Sequence, residues 1–141
     1  MPAIQFFEED VAYKLKNKTA VRKWITNTIV SEGYRLSELT YVFCSDTYLL
    51  QINQQYLDHD TYTDIITFDN SEDAGVIVGD IFISIDRIKE NAVKFGVTET
   101  QELHRVMIHG ALHLLGYKDK STADKQKMTL KEDFYLGKRG F

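Results

Sequence analysis

Two histidines spaced four residues apart offer the clearest chemistry in this chain of 141 residues. His109 and His113 lie in a segment, residues 104–117, that is otherwise rich in Val, Ile and Leu. On a helix, residues four apart project from one face, so the two imidazoles can share one metal ion. The alternative is a pair of core histidines that hydrogen-bond to carbonyls or carboxylates, because short motifs also match by accident.

Asp119 is the candidate third ligand. Gly116 is expected to end the helix soon after His113 and to let the chain turn back toward the histidines. A carboxylate six residues beyond His113 then completes two imidazoles and one oxygen ligand, and leaves a fourth position open for water. That donor set is typical of catalytic zinc. Because Cys44 is the single cysteine, a cysteine-rich structural site and an intrachain disulfide are both excluded.

Three further positions limit the reactions and the metal ligands that the segment allows. In His-Glu-x-x-His peptidases the glutamate is the general base, and Gly110 stands at that position here, which disfavours ordinary zinc proteolysis. A base must therefore be a metal-bound hydroxide or a carboxylate from elsewhere. His104 lies about 140° around the helix from His109 and is expected to point away from the metal. His59, in a polar segment, is expected to be solvated.

The elements that position these residues are strands and helices in irregular alternation. Predicted strands cover residues 4–7, 39–43, 64–68 and 76–84, with a bulge or close backbone approach at Gly79. Four helices are predicted to begin at the caps Thr19, Ser45 or Asp46, Thr98 and Ser121, and a further one to begin at Asp86. They are predicted to end near Gly33, Tyr56, Leu115, Tyr135 and Gly96, respectively. Without repeats or linkers, residues 1–141 are predicted to form one compact α+β domain with a small mixed sheet packed with helices.

The charge is distributed unevenly along the chain. There are 17 basic and 21 acidic residues, yet residues 37–86 contain ten carboxylates and no Lys or Arg. The net acidity excludes a protein that coats nucleic acid by bulk charge. The pattern indicates either ordinary solvated faces or an acidic middle suited to metal chemistry, with basic flanks that hold a polyanion. No signal peptide and no long apolar run is visible, so we expect a cytoplasmic location and no membrane partner.

Four segments occur in the order found in one known family. They are Asn-Gln-Gln-Tyr at 53–56, Thr-Asp-Ile-Ile-Thr-Phe at 63–68, Gly-Asp-Ile-Phe-Ile-Ser at 79–84, and His-Gly-x-Leu-His-Leu-Leu-Gly-Tyr at 109–117. Together they resemble the YbeY family, which are bacterial zinc-dependent single-strand endoribonucleases and ribosomal-RNA maturation factors. The similarity spans about residues 50–120, and its last segment is the specific one.

The resemblance implies a metal-dependent endoribonuclease, a hydrolase of phosphodiester bonds. It implies one Zn²⁺, or another divalent ion, held by His109, His113 and Asp119, which would act in catalysis through the metal-bound water. The implied partners are single-stranded RNA, in particular ribosomal RNA, and the ribosome or a ribosomal subunit. The implied role is maturation of the 3′ end of 16S rRNA and ribosome quality control. The alternative is a non-catalytic ribosome-assembly or RNA-binding factor whose metal is mainly structural.

Two departures from the family pattern concern the site. The family's motif usually ends in Gly-Tyr-Asp-His, whereas Asp119 occupies the place of that final histidine. A carboxylate there cancels one positive charge, so the bound water should be a weaker acid and Mn²⁺ more competitive. The family also commonly has arginine where this chain has Leu57, and Lys118 and Lys120 are candidate replacements.

The remaining candidates carry two interpretations each. Lys118, Lys120, Lys125 and Lys127 are candidate RNA-binding residues, with Lys138 and Arg139 near the end of the chain. The alternative is a set of lysines that keeps an exposed helix soluble. Asp64 and Asp80, in the family-like strands, either support the metal ligands or act as cap and turn residues.

Overall fold

The computed structural model describes residues 3–57 and 63–141. The helices and strands in these ranges are β1 (Ile4–Glu9), α1 (Lys18–Ser31), β2 (Arg35–Cys44), α2 (Asp46–Leu57), β3 (Ile65–Asp69), β4 (Val76–Ser84), α3 (Ile85–Phe95), α4 (Glu99–Leu114) and α5 (Thr122–Leu136). The sheet order is β1-β2-β4-β3, with parallel pairs β1/β2 and β2/β4 and an antiparallel pair β3/β4. The predicted α+β class with a small mixed sheet is confirmed.

Strand β2 forms the centre of the core. Leu39, Tyr41 and Phe43 alternate along it and are completely or almost completely buried, as their shared face predicts. The strand begins at Arg35, earlier than predicted, because its first residues already pair with β4 from Val76 onward. At its far end Cys44 is fully buried, and burial raises the pKa of its thiol to about 12.

Glycines let α4 approach the sheet closely. A Cβ atom on Gly110 would lie 2.8 Å from Cδ1 of Ile65 and 3.1 Å from Cδ1 of Ile81. A Cβ on Gly79 would lie 2.7 Å from the carbonyl oxygen of Phe68, so the prediction of a close approach at Gly79 is confirmed. The register shift lies elsewhere, in β2 between Leu36 and Glu38. Helix α4 is therefore held against β3 and β4, with no room for larger residues at Gly79 and Gly110.

Most predicted helix starts are confirmed, and one is wrong. The Thr98 hydroxyl accepts from the Gln101 N–H while the Gln101 side chain accepts from the Thr98 N–H, which is the predicted capping box. Helix α1, however, begins at Lys18, so Thr19 lies inside it and Asn17 is the residue before the helix. Asn17 has a φ of 58°, a left-handed conformation that asparagine tolerates, and makes no side-chain cap bond.

Helices α1 and α5, from opposite ends of the chain, meet beside α4. The indole N–H of Trp24 donates to the carbonyl oxygen of Tyr135 at 2.7 Å. The ring of His104, on α4, contacts the rings of Trp24 and Phe141, with centroids 5.7 and 5.3 Å away, and those two rings also contact each other at 6.1 Å. The fold thus joins the two basic flanks of the sequence. Within the described ranges, no helix has both the length and the apolar character needed to cross a bilayer.

Candidate metal centre

His109, His113 and Asp119 converge on one point. Oδ2 of Asp119 lies 3.3 Å from Nε2 of His109 and 3.3 Å from Nε2 of His113, and the two imidazole planes are nearly perpendicular. Ligands 2.0–2.1 Å from a zinc ion at tetrahedral angles lie about 3.3 Å from one another. The three donor atoms therefore fit one divalent ion. Among the described residues, this is the group of at least three His, Cys, Asp or Glu side chains close enough to hold one.

The end of α4 turns the chain back so that Asp119 can face the histidines. Gly116 has a φ of 101°, which favours glycine, and its N–H donates to the carbonyl oxygen of His113 at 3.0 Å. The N–H of Tyr117 donates to the carbonyl oxygen of Leu112 at 3.1 Å. These two bonds close the helix and reverse the chain direction. The prediction that Gly116 ends the helix and lets the chain turn back is confirmed.

A carboxylate from α5 contacts the other nitrogen of His109. Oε2 of Glu132 lies 2.6 Å from Nδ1 of His109, and Oε1 of Glu132 accepts from Arg105 at 2.8 Å. The Glu132 side chain is only 8% exposed. A carboxylate at Nδ1 keeps the proton on that nitrogen and leaves the Nε2 lone pair directed at Asp119 and the metal position.

Negative charge surrounds His109. Burial alone would lower the pKa of His109, but the hydrogen bond and charge of Glu132, together with the charges of Asp119 and Asp64, hold that pKa above its usual value. The same environment favours a bound cation over an empty set of imidazoles. A concentration of carboxylates around two histidines is what a divalent ion requires for charge balance.

The two aspartates of the family-like strands have different surroundings. Burial raises the pKa of Asp64, and the charges of His109, Asp119 and Glu132 act on it, so Asp64 lies close to the centre. Asp80 instead accepts a hydrogen bond from the Asn70 side chain at 3.0 Å, beside the turn between β3 and β4. The surroundings of Asp64 therefore fit a carboxylate that supports the metal ligands, whereas those of Asp80 fit a turn residue.

A partly buried carboxylate, Glu32, anchors the segment that carries Asp119. Glu32, which follows α1, accepts from the Tyr117 hydroxyl at 2.5 Å, from the Tyr135 hydroxyl, and from Lys131 at 3.1 Å. Burial opposes the charged form, yet these three donors hold the pKa of Glu32 below its usual value. The segment between Gly116 and Asp119 is therefore tied to both α1 and α5.

The remaining histidines and the candidate RNA-binding lysines lie outside the group of three proposed ligands. His104 points away from the metal position, as predicted, and its Nδ1 lies 2.8 Å from Arg139. Lys118 and Lys120 flank Asp119 and are exposed, Lys125 is exposed on α5, and Lys127 lies above the Tyr117 ring. His59 and the side chain of Leu57 fall outside the described residues.

Glu132 was missed by the sequence reasoning, although the sequence carries a signal for it. Met128, Glu132 and Tyr135 recur at the spacing of one helix face, and all three are buried. A carboxylate on an otherwise apolar helix face needs a partner, since an unpaired buried charge is costly. The partner could not be named, because His109 lies 23 residues away along the chain.

The comparisons with known proteins agree with this geometry. The model of the family described as Endoribonuclease YbeY matches residues 3–140. The chain belongs to the YbeY family. A YbeY relative from Cytophaga hutchinsonii is 56% identical over 138 residues, covering 98% of this chain and 96% of the relative. One from Flavobacterium psychrophilum is 50% identical over 127 residues, covering 90% of each chain. Both bear the name Endoribonuclease YbeY.

A solved structure supports the fold independently. The solution structure of TM1509 from Thermotoga maritima superposes with a TM-score of 0.63, covering 96% of this chain and 90% of that one. The sequence identity is 24%. At that identity the likeness concerns the fold alone.

Proposed function

We propose that this chain is a metal-dependent endoribonuclease. The observation that supports the proposal is the convergence of His109, His113 and Asp119 on one point, within a segment resembling the metal helix of the YbeY family. Relatives that align along nearly the whole chain carry the name endoribonuclease. The proposed substrate is single-stranded RNA, and the proposed reaction is hydrolysis of a phosphodiester bond.

The three residues are proposed to hold one Zn²⁺. The mixture of two imidazoles and one carboxylate also suits Mn²⁺, which prefers oxygen ligands more than zinc does. When bound, a divalent ion supplies Lewis acidity toward a phosphate oxygen and lowers the pKa of a coordinated water.

The side chains around the ligands have their own tasks. Glu132 holds the proton on Nδ1 of His109 and thereby fixes the ring, while Arg105 bridges Glu132 and Asp133 at 2.8 and 2.6 Å. Gly110 faces Ile65 and Ile81 of the sheet, so a glutamate at that position would have no space. Asp64, a nearby carboxylate outside the ligand set, is the candidate proton acceptor.

The wider role is proposed from the family resemblance. It comprises processing of ribosomal RNA, including the 3′ end of 16S rRNA, and ribosome quality control, in the cytoplasm and in contact with the ribosome or a subunit. Lys118 and Lys120 flank Asp119 and are proposed to contact the substrate phosphates there, in place of the arginine that the family commonly has where this chain has Leu57.

The decisive experiment combines metal content with cleavage. Purified protein, His113→Ala, Asp119→Ala and the control Asp124→Asn are analysed for bound metal and for cleavage of end-labelled single-stranded RNA, with circular dichroism to verify folding. We expect wild type and Asp124→Asn to bind about one ion per chain and to cleave, and both ligand variants to lose metal and cleavage while staying folded.

Three outcomes would contradict the proposal or one of its ligand assignments. Unchanged cleavage in His113→Ala would indicate a contaminating nuclease. RNA or ribosome binding that survives metal removal, with no cleavage by wild type, would favour an assembly factor instead. Full metal content in Asp119→Ala would show that the third ligand is assigned to the wrong residue.

A further inference from the structure

A groove between α1 and α5 is lined by lysines and aromatic rings. It consists of three adjoining cavities of about 570, 350 and 270 Å³, of which the smallest is lined by residues of α5 alone. The largest shares Trp24 and Lys138 with the second cavity, and Lys131 and Phe134 with the third. We call this continuous depression the α1–α5 groove.

Positive charge dominates the α1–α5 groove. Its lining includes Lys23, Lys127, Lys131 and Lys138, and among the described residues that line it none is Asp or Glu. Helix α1 has no acidic residue in its 14 positions. A cavity of similar size, about 550 Å³, between α4 and α5 contains both carboxylates and arginines. In a chain of net charge −4, a groove with one sign of charge indicates an anionic ligand.

Three of these lysines have no counter-charge among the residues that the structure describes. Lys131 forms an ion pair with Glu32 at 3.1 Å, which offsets its charge. Within residues 3–57 and 63–141, no carboxylate lies at ion-pair distance from Lys23, Lys127 or Lys138, and all three are exposed. Their ammonium groups remain available to phosphates.

Exposed aromatic surface accompanies the lysines. The Phe134 side chain is 53% exposed, and the Lys138 ammonium lies 5.1 Å from the centre of its ring. Phe141, at another part of the groove, is also exposed. Cations paired with open rings suit a single-stranded nucleic acid, because its phosphates meet the lysines while its unpaired bases stack on the rings. An acidic protein would require the cations alone.

The α1–α5 groove also reaches the segment that holds the third metal ligand. Lys127 and Lys131 lie 5.5 and 5.7 Å from the centre of the Tyr117 ring. Tyr117 is two residues before Asp119 in the turn that follows α4. An RNA strand lying in the groove would therefore lie beside the turn that carries Asp119.

We propose that the α1–α5 groove binds a part of the single-stranded RNA substrate that flanks the cleaved bond. Its phosphates contact Lys23, Lys127 and Lys138, and a base stacks on Phe134. The inference rests on the proposed endoribonuclease function and gives the substrate a path. Of the lysines selected from the sequence, Lys127 and Lys138 line this path.

The test compares two matched double variants of the metal-loaded protein. Lys138→Gln with Phe134→Ser changes the groove. Lys94→Gln with Phe95→Ser changes a similar ammonium-over-ring pair on α3, at 5.8 Å and with Phe95 59% exposed, outside the groove. Binding of a fluorescent single-stranded RNA is measured by anisotropy before cleavage, over about 50 to 200 mM salt. Cleavage kinetics are measured in parallel.

We expect the groove variant to bind RNA at least about tenfold more weakly, because it loses a phosphate contact and a stacking contact. Its KM should rise while kcat and metal content stay at wild-type values. The control should stay within about twofold of wild type. A single Lys23→Gln change on the α1 side repeats the test without altering α5, and should reduce the slope of log affinity against log salt by about 0.7.

Three results would overturn the inference. If both double variants bind RNA equally well while wild type cleaves, the groove is not the path and the proposed function stands. If wild type neither binds nor cleaves RNA, both proposals fail. If polyglutamate competes as well as RNA does and Phe134→Ser has no effect, the groove recognises an acidic protein surface.

Discussion

At the scale of single residues, the contact between Glu132 and His109 determines which nitrogen faces the metal position. The carboxylate is held by Arg105 on one oxygen and by Nδ1 of His109 on the other. Such outer partners fix the tautomer and the orientation of a ligating imidazole. The metal affinity of the proposed centre is thus expected to depend on Glu132, which does not belong to the proposed ligand set.

We predict that Glu132→Gln weakens metal binding by about 10- to 100-fold, because the charged partner of the His109 ring is lost. Dissociation constants from chelator competition provide the measurement. Asp133→Asn is the control, since it removes the other carboxylate bound to Arg105, at 2.6 Å, and leaves His109 untouched. Equal affinities in the two variants would show that Glu132 has no role in orienting the ligand.

The sequence predicted the three proposed ligands but not Glu132, which contacts one of them. His109, His113 and Asp119 follow from helix periodicity and from a glycine that reverses the chain, which are local rules. The contact with Glu132 depends on how α5 packs against α4, and no local rule provides that packing. The contact of Glu32 could not be predicted for the same reason, since its partner Tyr117 is 85 positions away along the chain.

At the scale of elements, the turn after α4 is held by a hydrogen bond from Tyr117 to Glu32. Tyr135 donates to the same carboxylate from α5. The two tyrosines are therefore chemically alike, and only Tyr117 belongs to the turn that carries Asp119. A comparison of variants at the two tyrosines therefore separates a loss of metal affinity from a loss of folding stability alone.

We predict that Tyr117→Phe lowers metal affinity more than Tyr135→Phe does, by about tenfold. Both variants lose one hydrogen bond to a charged acceptor, worth about 1.5 to 3 kcal/mol, so the metal-free proteins should be similarly destabilised. Metal titration and chemical denaturation of the metal-free proteins give the two quantities. Parallel losses of affinity in both variants would contradict a specific role for the turn.

Gly110 is predicted to be sensitive to a single methyl group. Gly110→Ala should lower the free energy of unfolding by about 1 to 2 kcal/mol, because crowding against Ile65 and Ile81 outweighs the gain in helix propensity. Gly137→Ala is the control, since its Cβ would meet backbone oxygens only at 3.4 and 3.5 Å. Urea denaturation measures both, and an unchanged Gly110→Ala protein would show that α4 can move away from the sheet.

The bounds of the helices and strands also show which features local sequence rules predict and which they do not. Strand β4 and the capping box of α4 were predicted with correct bounds, because alternation and capping are encoded in adjacent residues. The start of α1 was wrong, since Asn17 takes a left-handed conformation and makes no side-chain cap bond. The length of β2 was underestimated, because its first residues are strand only through pairing with β4.

At the scale of the whole molecule, folding converts a charge pattern along the chain into a pattern in space. The two basic flanks meet where α1 contacts α5, and they line the α1–α5 groove with lysines. The order of charges along the sequence suggested a site for a polyanion, but it could not indicate that the first and last helices would form it together.

The buried His104 makes stability depend on pH. Burial, with a smaller contribution from the charge of Arg139, lowers the pKa of His104 to about 4, and its side chain is almost inaccessible. Since the unfolded chain takes up a proton near pH 6.5 and the folded protein does not, stability should fall with decreasing pH between these values.

We expect this group to cost about 2 kcal/mol of stability between about pH 7 and about pH 5. His104→Phe keeps a ring in contact with Trp24 and Phe141 and removes the titration, so the stability of this variant should change less over that interval. Asp64 and Glu102, whose pKa values burial raises, act in the opposite direction in both proteins and cancel in the difference. Parallel pH profiles from urea denaturation would contradict the prediction.

The buried thiol at the end of β2 gives the protein a reporter of its own. Cys44 is inaccessible, its pKa is about 12, and it is the single cysteine of the chain. Alkylating reagents attack the thiolate, so they modify Cys44 only when the centre of the sheet opens. A bound metal that stabilises the folded state should make those openings rarer in proportion to its occupancy. The labelling rate would thus measure metal affinity without any assay of catalysis.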